Sequence, residues 1–217
     1  MMWPCFMNMD SGRRSRRANE FAMSGFSRKR NGEILATFSH YEGAILKSLA
    51  EQLLELLGEG DSPADPLLAV VGISSNDSLP DDPVLARLLP DAYEEAKDAA
   101  EFRRYTEHSA REKKRAHANA IRDLLMDNLG DHSLDLTEPG INKREELHFI
   151  IPEEKVHMWL MGLNDMRLAL GTRLNVTPDA QQRYAAMNDE SPDKGIYNLF
   201  AWLGWLQEIL LDIINQE

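Results

Sequence analysis

A chain of 217 residues fits one domain of ordinary size, or one domain with a tail, and at 43% hydrophobic and 28% charged it can bury a real core. Its net charge of −12 is unevenly spread: residues 1–32 carry seven Arg or Lys against Asp10 and Glu20, while residues 33–217 hold 17 basic and 34 acidic side chains. A body at −17 repels a phosphate backbone over most of its surface, so duplex binding would have to come from a local patch or from the tail.

Cys5 is the single cysteine, which excludes an intrachain disulfide and suits a reducing, cytoplasmic setting. The opening residues, MMWPCFMNMD, lack the apolar run of a signal peptide. The most apolar stretch, 196–214, is interrupted by Asn198, Gln207, Glu208 and Asp212, a poor membrane span and a good buried helix.

In chain order, residues 1–32 are rich in Met, Arg and Ser without periodicity and read as a disordered basic tail. Five of the ten methionines lie at or before position 23, so Met23 is an alternative start and the tail an over-extension in that case. A single helical domain over 33–217 follows. EILATF (33–38) predicts a short strand, and Ser39 with Glu42 three residues on predicts a capping box opening a helix to about Leu57. Gly58 and Gly60 stop it. Prolines from Pro63 to Pro90 punctuate short helices, with Asp82 capping at Pro83. A long charged helix spans about Tyr93 to Leu129, then a loop over 130–143 leads to a second strand, ELHFIIP (146–152). The 153–173 helix is acidic at its start and basic at its end, as the macrodipole prefers. Thr177-Pro178 and Ser191-Pro192 announce two last helices. The expected architecture is mainly α, a helical bundle with a small two-stranded β ribbon.

The chemistry-bearing motifs mostly fail. GEGDS (58–62) lacks the Lys and flanking strand of a phosphate-binding loop, and there is neither a G-x-S-x-G elbow nor a Cys/His pair. Glu-x-x-His occurs at Glu145/His148 and Glu154/His157, but the first falls in a predicted strand and Pro152 separates the two. They cannot supply the facing helices of a di-iron bundle, so no metal site and no cofactor are expected.

Three features remain open to two readings each. The long helix carries Arg103, Arg104, Arg111, Lys113, Lys114, Arg115 and Arg122 against Glu101, Glu107 and Glu112 over 101–122. That run is either an anion- or partner-binding patch or a solvated face with offsetting pairs such as Glu107–Arg111. The 199–214 helix is apolar nearly all round, and is either a central core helix or, in part, through Trp202 and Trp205, a homodimer or partner surface. On a helical wheel Arg167 lies amid Val156, Trp159, Leu163, Met166 and Leu170, and Glu42 lies amid Ile45, Leu46, Leu49 and Leu53. Either the two meet as a buried pair fixing helix register, or Arg167 snorkels to water.

The segments SHYEGAILKSLAEQLLELL (39–57), DPVLARLLPDAYEEAKDAAEFRRYTE (82–107), WLMGLNDMRLALGTRL (159–174) and LFAWLGWLQEILLDII (199–214) carry a resemblance. In order and spacing they resemble an actinobacterial family of oxidative-stress transcriptional regulators (AosR-like), formerly a domain of unknown function, over residues 33–217. The resemblance implies a cytoplasmic, non-enzymatic regulator of the oxidative-stress response, and leaves redox sensing open. The matching region contains no cysteine, so an internal disulfide switch is impossible, and Cys5, the one thiol that could answer to oxidants, could form only an intermolecular bridge.

Two functional readings follow. The first is a regulator acting through a protein partner, such as a component of RNA polymerase, with Arg103, Arg104, Arg111, Lys113, Lys114 and Arg115 as the contact patch. The second is a DNA-binding module using the basic tail or the 101–122 helix.

Overall fold

The computed structural model describes residues 24–58, 77–129 and 146–216. The chain enters through β1 (Gly25–Arg28), turns at residues 29–33, and returns as β2 (Ile34–Ser39). Ser39 then caps α1 (His40–Leu57) with the expected box. Its side chain accepts from the Glu42 N–H at 3.2 Å, and the Glu42 carboxylate accepts from the Ser39 N–H at 2.8 Å. Gly58 ends the helix in the left-handed region (φ 58°), donating to Leu54 O and Glu55 O.

Asp82 caps α2 (Pro83–Leu88), its Oδ1 accepting from the Val84 and Leu85 N–H groups. The long α3 runs Ala96–Leu129, starting three residues later than Tyr93. Then come β3 (Glu146–Ile151), α4 (Glu153–Arg173), the short α5 (Ala180–Ala185) and α6 (Pro192–Asn215). Thr177-Pro178 does not open a helix. The Thr177 hydroxyl instead donates to Asp179 at 2.6 Å, and α5 begins at Ala180. Ser191 occupies the cap of α6 but makes no side-chain capping bond.

The ribbon is three-stranded rather than two-stranded. Antiparallel order β1-β2-β3 places Phe26 opposite Ala36, and Ala36 opposite Phe149. The extra strand lies inside the 1–32 stretch read as a tail. Four residues with one large apolar anchor carry no readable alternation, and the strand exists because Phe26 lands on a core. Its ring sits edge-on to Phe38 (5.6 Å) and to Trp159 (6.0 Å). Gly25 adopts φ 125°, a region that disfavours any side chain, with the Trp205 ring against it.

α4 is the central element, packed against α6, α3, α2 and α1. Trp159, Leu163 and Met166 from α4, Phe38 from the sheet, Leu46 from α1, Ile121 and Leu125 from α3, and Leu203, Leu206 and Leu210 from α6 form one buried cluster. α3 and α4 approach closely at Gly162, where a Cβ would stand 3.2 Å from the His117 carbonyl oxygen. Of the two readings of α6, burial applies to one stripe: Leu203, Leu206, Leu210 and Ile213 are inside, while Trp205 and Leu211 are exposed. Among the described residues, no helix is long and apolar enough to cross a membrane.

Candidate partner-binding surface

The N-terminal half of α3 buries charge where a helix ordinarily buries apolar side chains. Residues at four-residue spacing, Ala99, Arg103, Glu107 and Arg111, form its inner stripe, and the three charged ones are only 5%, 4% and 7% exposed. Arg103 donates to Glu107 Oε2 at 2.6 Å, to Asp91 Oδ1 at 2.7 Å and to the Leu89 carbonyl at 2.9 Å. Arg111 donates to Glu107 Oε1 at 2.8 Å and to the carbonyl of Leu57, the last residue of α1. Burial opposes ionisation of Glu107, but the hydrogen bonds from Arg103 and Arg111 outweigh it and hold the carboxyl below its ordinary range. Burial likewise lowers Arg103, and its bonds to Asp91 and Glu107 prevail and raise it.

The expected six-residue cationic patch therefore does not exist as one surface. Arg103 and Arg111 are buried in this network. Arg115 turns to α1, donating to the Gly58 carbonyl and, at 3.5 Å, to that of Leu54. Because α1 has no basic residue in its last turn, Arg111 and Arg115 supply from outside the cations that its C-terminal carbonyls favour. Lys114 reaches Asp165 Oδ1 at 2.7 Å, and Asp165 is wholly buried between α3 and α4. Arg104 and Lys113 are exposed, but nine residues on an α-helix is about half a turn out of phase, so they face opposite flanks. The Glu107–Arg111 pair, read as part of a solvated face, is instead part of the interior.

Glu42 and Arg167 do not pair. Glu42 is consumed by the α1 cap and by the Ser24 hydroxyl, which donates to it at 2.6 and 2.8 Å, tying the approach to β1 onto α1. Arg167 lies half-buried on the flank of α4 facing α6, its guanidinium 4.9 Å from the Phe200 ring centroid and 3.4 Å from Gln207 Oε1. Neither alternative is met in full: Arg167 is neither ion-paired with Glu42 nor extended freely into water. Trp202 and Trp205 also separate. Trp202 is half-buried, edge-on to Phe38 at 6.4 Å, whereas Trp205 is 37% exposed above Gly25.

Sequence reasoning passed over two features. The first is the buried charge at the α3–α4 contact, where Asp165 Oδ2 and His117 Nδ1 stand 3.8 Å apart, each buried and without a hydrogen-bond partner. The second is a cleft of about 170 Å³ between the end of α2 and α3, lined by Leu88, Leu89, Pro90, Ala99, Phe102 and Ala110 with the Arg103–Glu107 pair at its floor. Phe102 is 42% exposed and meets the exposed Tyr93 edge-on at 5.5 Å. Tyr105, one turn along from Phe102, is 58% exposed. Large aromatics left in solvent beside a cleft are a readable sign of recognition, had the helix phase been known.

Among the described residues no group of three or more His, Cys, Asp or Glu side chains could hold a metal. His148 projects from β3 beside Thr37 and Glu146, and Glu154 and His157 lie on the first turns of α4. Glu145 and Cys5 lie outside the described residues.

A family model described as a domain of unknown function (DUF2017) matches residues 23–214. The chain belongs to this family. A relative in Mycobacterium tuberculosis (strain ATCC 25618 / H37Rv), named "Oxidative stress regulator AosR", is 31% identical over 196 residues, covering 82% of this chain and 81% of its own. Another in Mycobacterium leprae (strain TN), "Putative oxidative stress regulator AosR", is 33% identical over 188 residues, covering 79% and 77%. No solved structure matches. The match begins at residue 23, just ahead of β1, so the added strand falls within the family's extent.

Proposed function

We propose that this chain is a non-enzymatic cytoplasmic regulator of the oxidative-stress response that works on transcription through a protein partner and not by gripping duplex DNA. The family's curated relatives carry the regulatory name. The observation that carries the partner half of the reading is the fate of the α3 cations. Arg103, Arg111, Lys114 and Arg115 are engaged with Glu107, Asp91, Asp165 and the carbonyls at the end of α1, Arg122 pairs with Asp123, and the exposed Arg104 and Lys113 face opposite flanks, so most cations of the 101–122 run are already compensated within the chain. A surface as acidic as residues 33–217 favours protein recognition on the same ground.

The test has two arms. Full-length protein is titrated with labelled duplex at low salt, and it is affinity-purified from its native cell with and without peroxide. Absence of duplex binding together with a stoichiometric protein partner is the expected result. Duplex binding that weakens steeply with salt would transfer the function to the Arg13, Arg14, Arg16 and Arg17 cluster and overturn the reading.

A further inference from the structure

The geometry points to the cleft between α2 and α3 as the docking site for a partner's cationic amphipathic segment, its apolar side seated against Phe102 and the Tyr93 ring beside it, and its Lys or Arg side chains on the carboxylates of the adjoining α3 flank. This inference rests on the protein-partner reading above. Three observations combine. The cleft walls are apolar: Leu88, Leu89, Pro90, Ala99 and Ala110. Phe102 lines the cleft, the exposed Tyr93 ring meets Phe102 edge-on, and the exposed Tyr105 stands one turn along on the adjoining flank; aromatic rings dominate binding hot spots because a large, stiff surface is desolvated at small entropic cost. The chain around the cleft is acidic on balance. Between residues 91 and 106 the exposed ionisable groups are Asp91, Glu94, Glu95, Asp98 and Glu101 against Lys97 and Arg104.

Helical phase sets an acidic and aromatic flank beside the cleft, joined to it through Phe102. Asp98, Glu101, Phe102 and Tyr105 stand three or four residues apart and share one face of α3, so aromatic and acidic side chains form a single stripe. The floor is rigid, since Arg103 is held by Asp91, Glu107 and the Leu89 carbonyl at once. That anchorage fixes the chain after α2 against α3 and keeps the cleft formed before any partner arrives, which lowers the ordering cost of binding. The network thus turns the sign of the site around: Arg103 and Arg111 point inward and hold the wall, while the flank bearing Asp98 and Glu101 offers carboxylates to a basic partner.

A random-peptide phage library, selected against the full chain, tests the assignment. The expected winners combine Lys or Arg with aliphatic or aromatic residues. A synthetic winner should bind wild type with an affinity that falls as salt rises, and lose about tenfold or more with Phe102→Ala or Tyr93→Ala. Asp98→Lys with Glu101→Lys should weaken it and flatten the salt dependence. Circular dichroism and the thermal midpoint establish that each variant is folded. Both rings are well exposed, so at least one variant should remain so. Winners without cationic bias, winners that ignore all these substitutions, or no winner at all overturn the assignment.

A separate measurement tests whether this chain covers its own cleft. Phe102→Cys, at an exposed position that lines the cleft, is labelled with a maleimide in a Cys5→Ser background. Labelling as fast as a free thiol leaves the site open for a partner, while slow labelling assigns the cleft to a segment of this chain or a second copy and overturns the proposal. Native-cell purification separates the two levels. A protein partner recovered equally with wild type and Phe102→Ala sinks the surface alone, whereas duplex binding in place of a protein partner sinks the functional reading.

Discussion

Replacing Glu107 by Gln keeps the shape of the side chain and removes its charge, leaving Arg103 and Arg111 interior with one carboxylate fewer. Had Glu107–Arg111 been a solvated pair at four-residue spacing, the loss would be about 0.3–0.5 kcal/mol. In the folded protein Glu107 is 4% exposed and accepts from two buried guanidiniums at 2.6 and 2.8 Å. Breaking a buried pair by removing one partner costs about 3–5 kcal/mol, because the surviving charge remains desolvated. At about 2–4 °C per kcal/mol for a domain of this size, the thermal midpoint should fall by about 6–20 °C. Urea unfolding read by tryptophan fluorescence measures it: the midpoint should drop with an unchanged slope. A loss below about 1 kcal/mol would refute the buried network. The acid limb gives an independent check with a definite sign. Hydrogen bonding depresses the Glu107 carboxyl below its ordinary value of 4.5 despite burial. Its contribution is therefore fully present above about pH 4.5 and disappears as pH falls through the lower folded value, so E107Q should show a shallower stability loss across that acidic window.

Three other outcomes follow from the same geometry. Lys114→Ala strands the wholly buried Asp165 and should cost about 2–4 kcal/mol by chemical denaturation, and replacing both partners by Met and Leu should recover most of it. Arg104→Ala and Lys113→Ala, both at exposed positions, should each change stability by less than about 0.5 kcal/mol in the same assay, in contrast to Arg103→Ala. Gly162→Val forces atoms toward the His117 carbonyl and Ile121 where α3 and α4 nearly touch, and should lower the thermal midpoint through about 1–3 kcal/mol of overpacking.

The buried polar network also bears on specificity. An apolar stripe on α3 could slide along α1 by a turn with little change in energy. Arg111 and Arg115 reach individual carbonyls at the end of α1, and Lys114 reaches one carboxylate on α4, so register between three helices is set by directional bonds. The part of the chain that presents the proposed surface is thereby held at a defined angle to the core.

Local signals determined much of this protein. The Ser39/Glu42 box, the Asp82 cap before Pro83, the end of α1 at Gly58 and the span of α4 were all legible because each depends on residues within a turn or two of one another. The family, too, was readable from strings of residues. What needed the folded chain was every question of which neighbour a side chain meets across space. β1 is too short to announce itself and is created by Phe26 reaching Phe38 and Trp159. Glu42 and Arg167 each sit amid apolar neighbours on their own helices, yet helical phase says nothing of the facing element, and one caps α1 while the other lies over Phe200. The run from Arg103 to Arg115 is the sharpest case. A charge pattern specifies which groups must be compensated, but only packing decides whether water, a partner, or the protein's own carboxylates and helix carbonyls do the compensating.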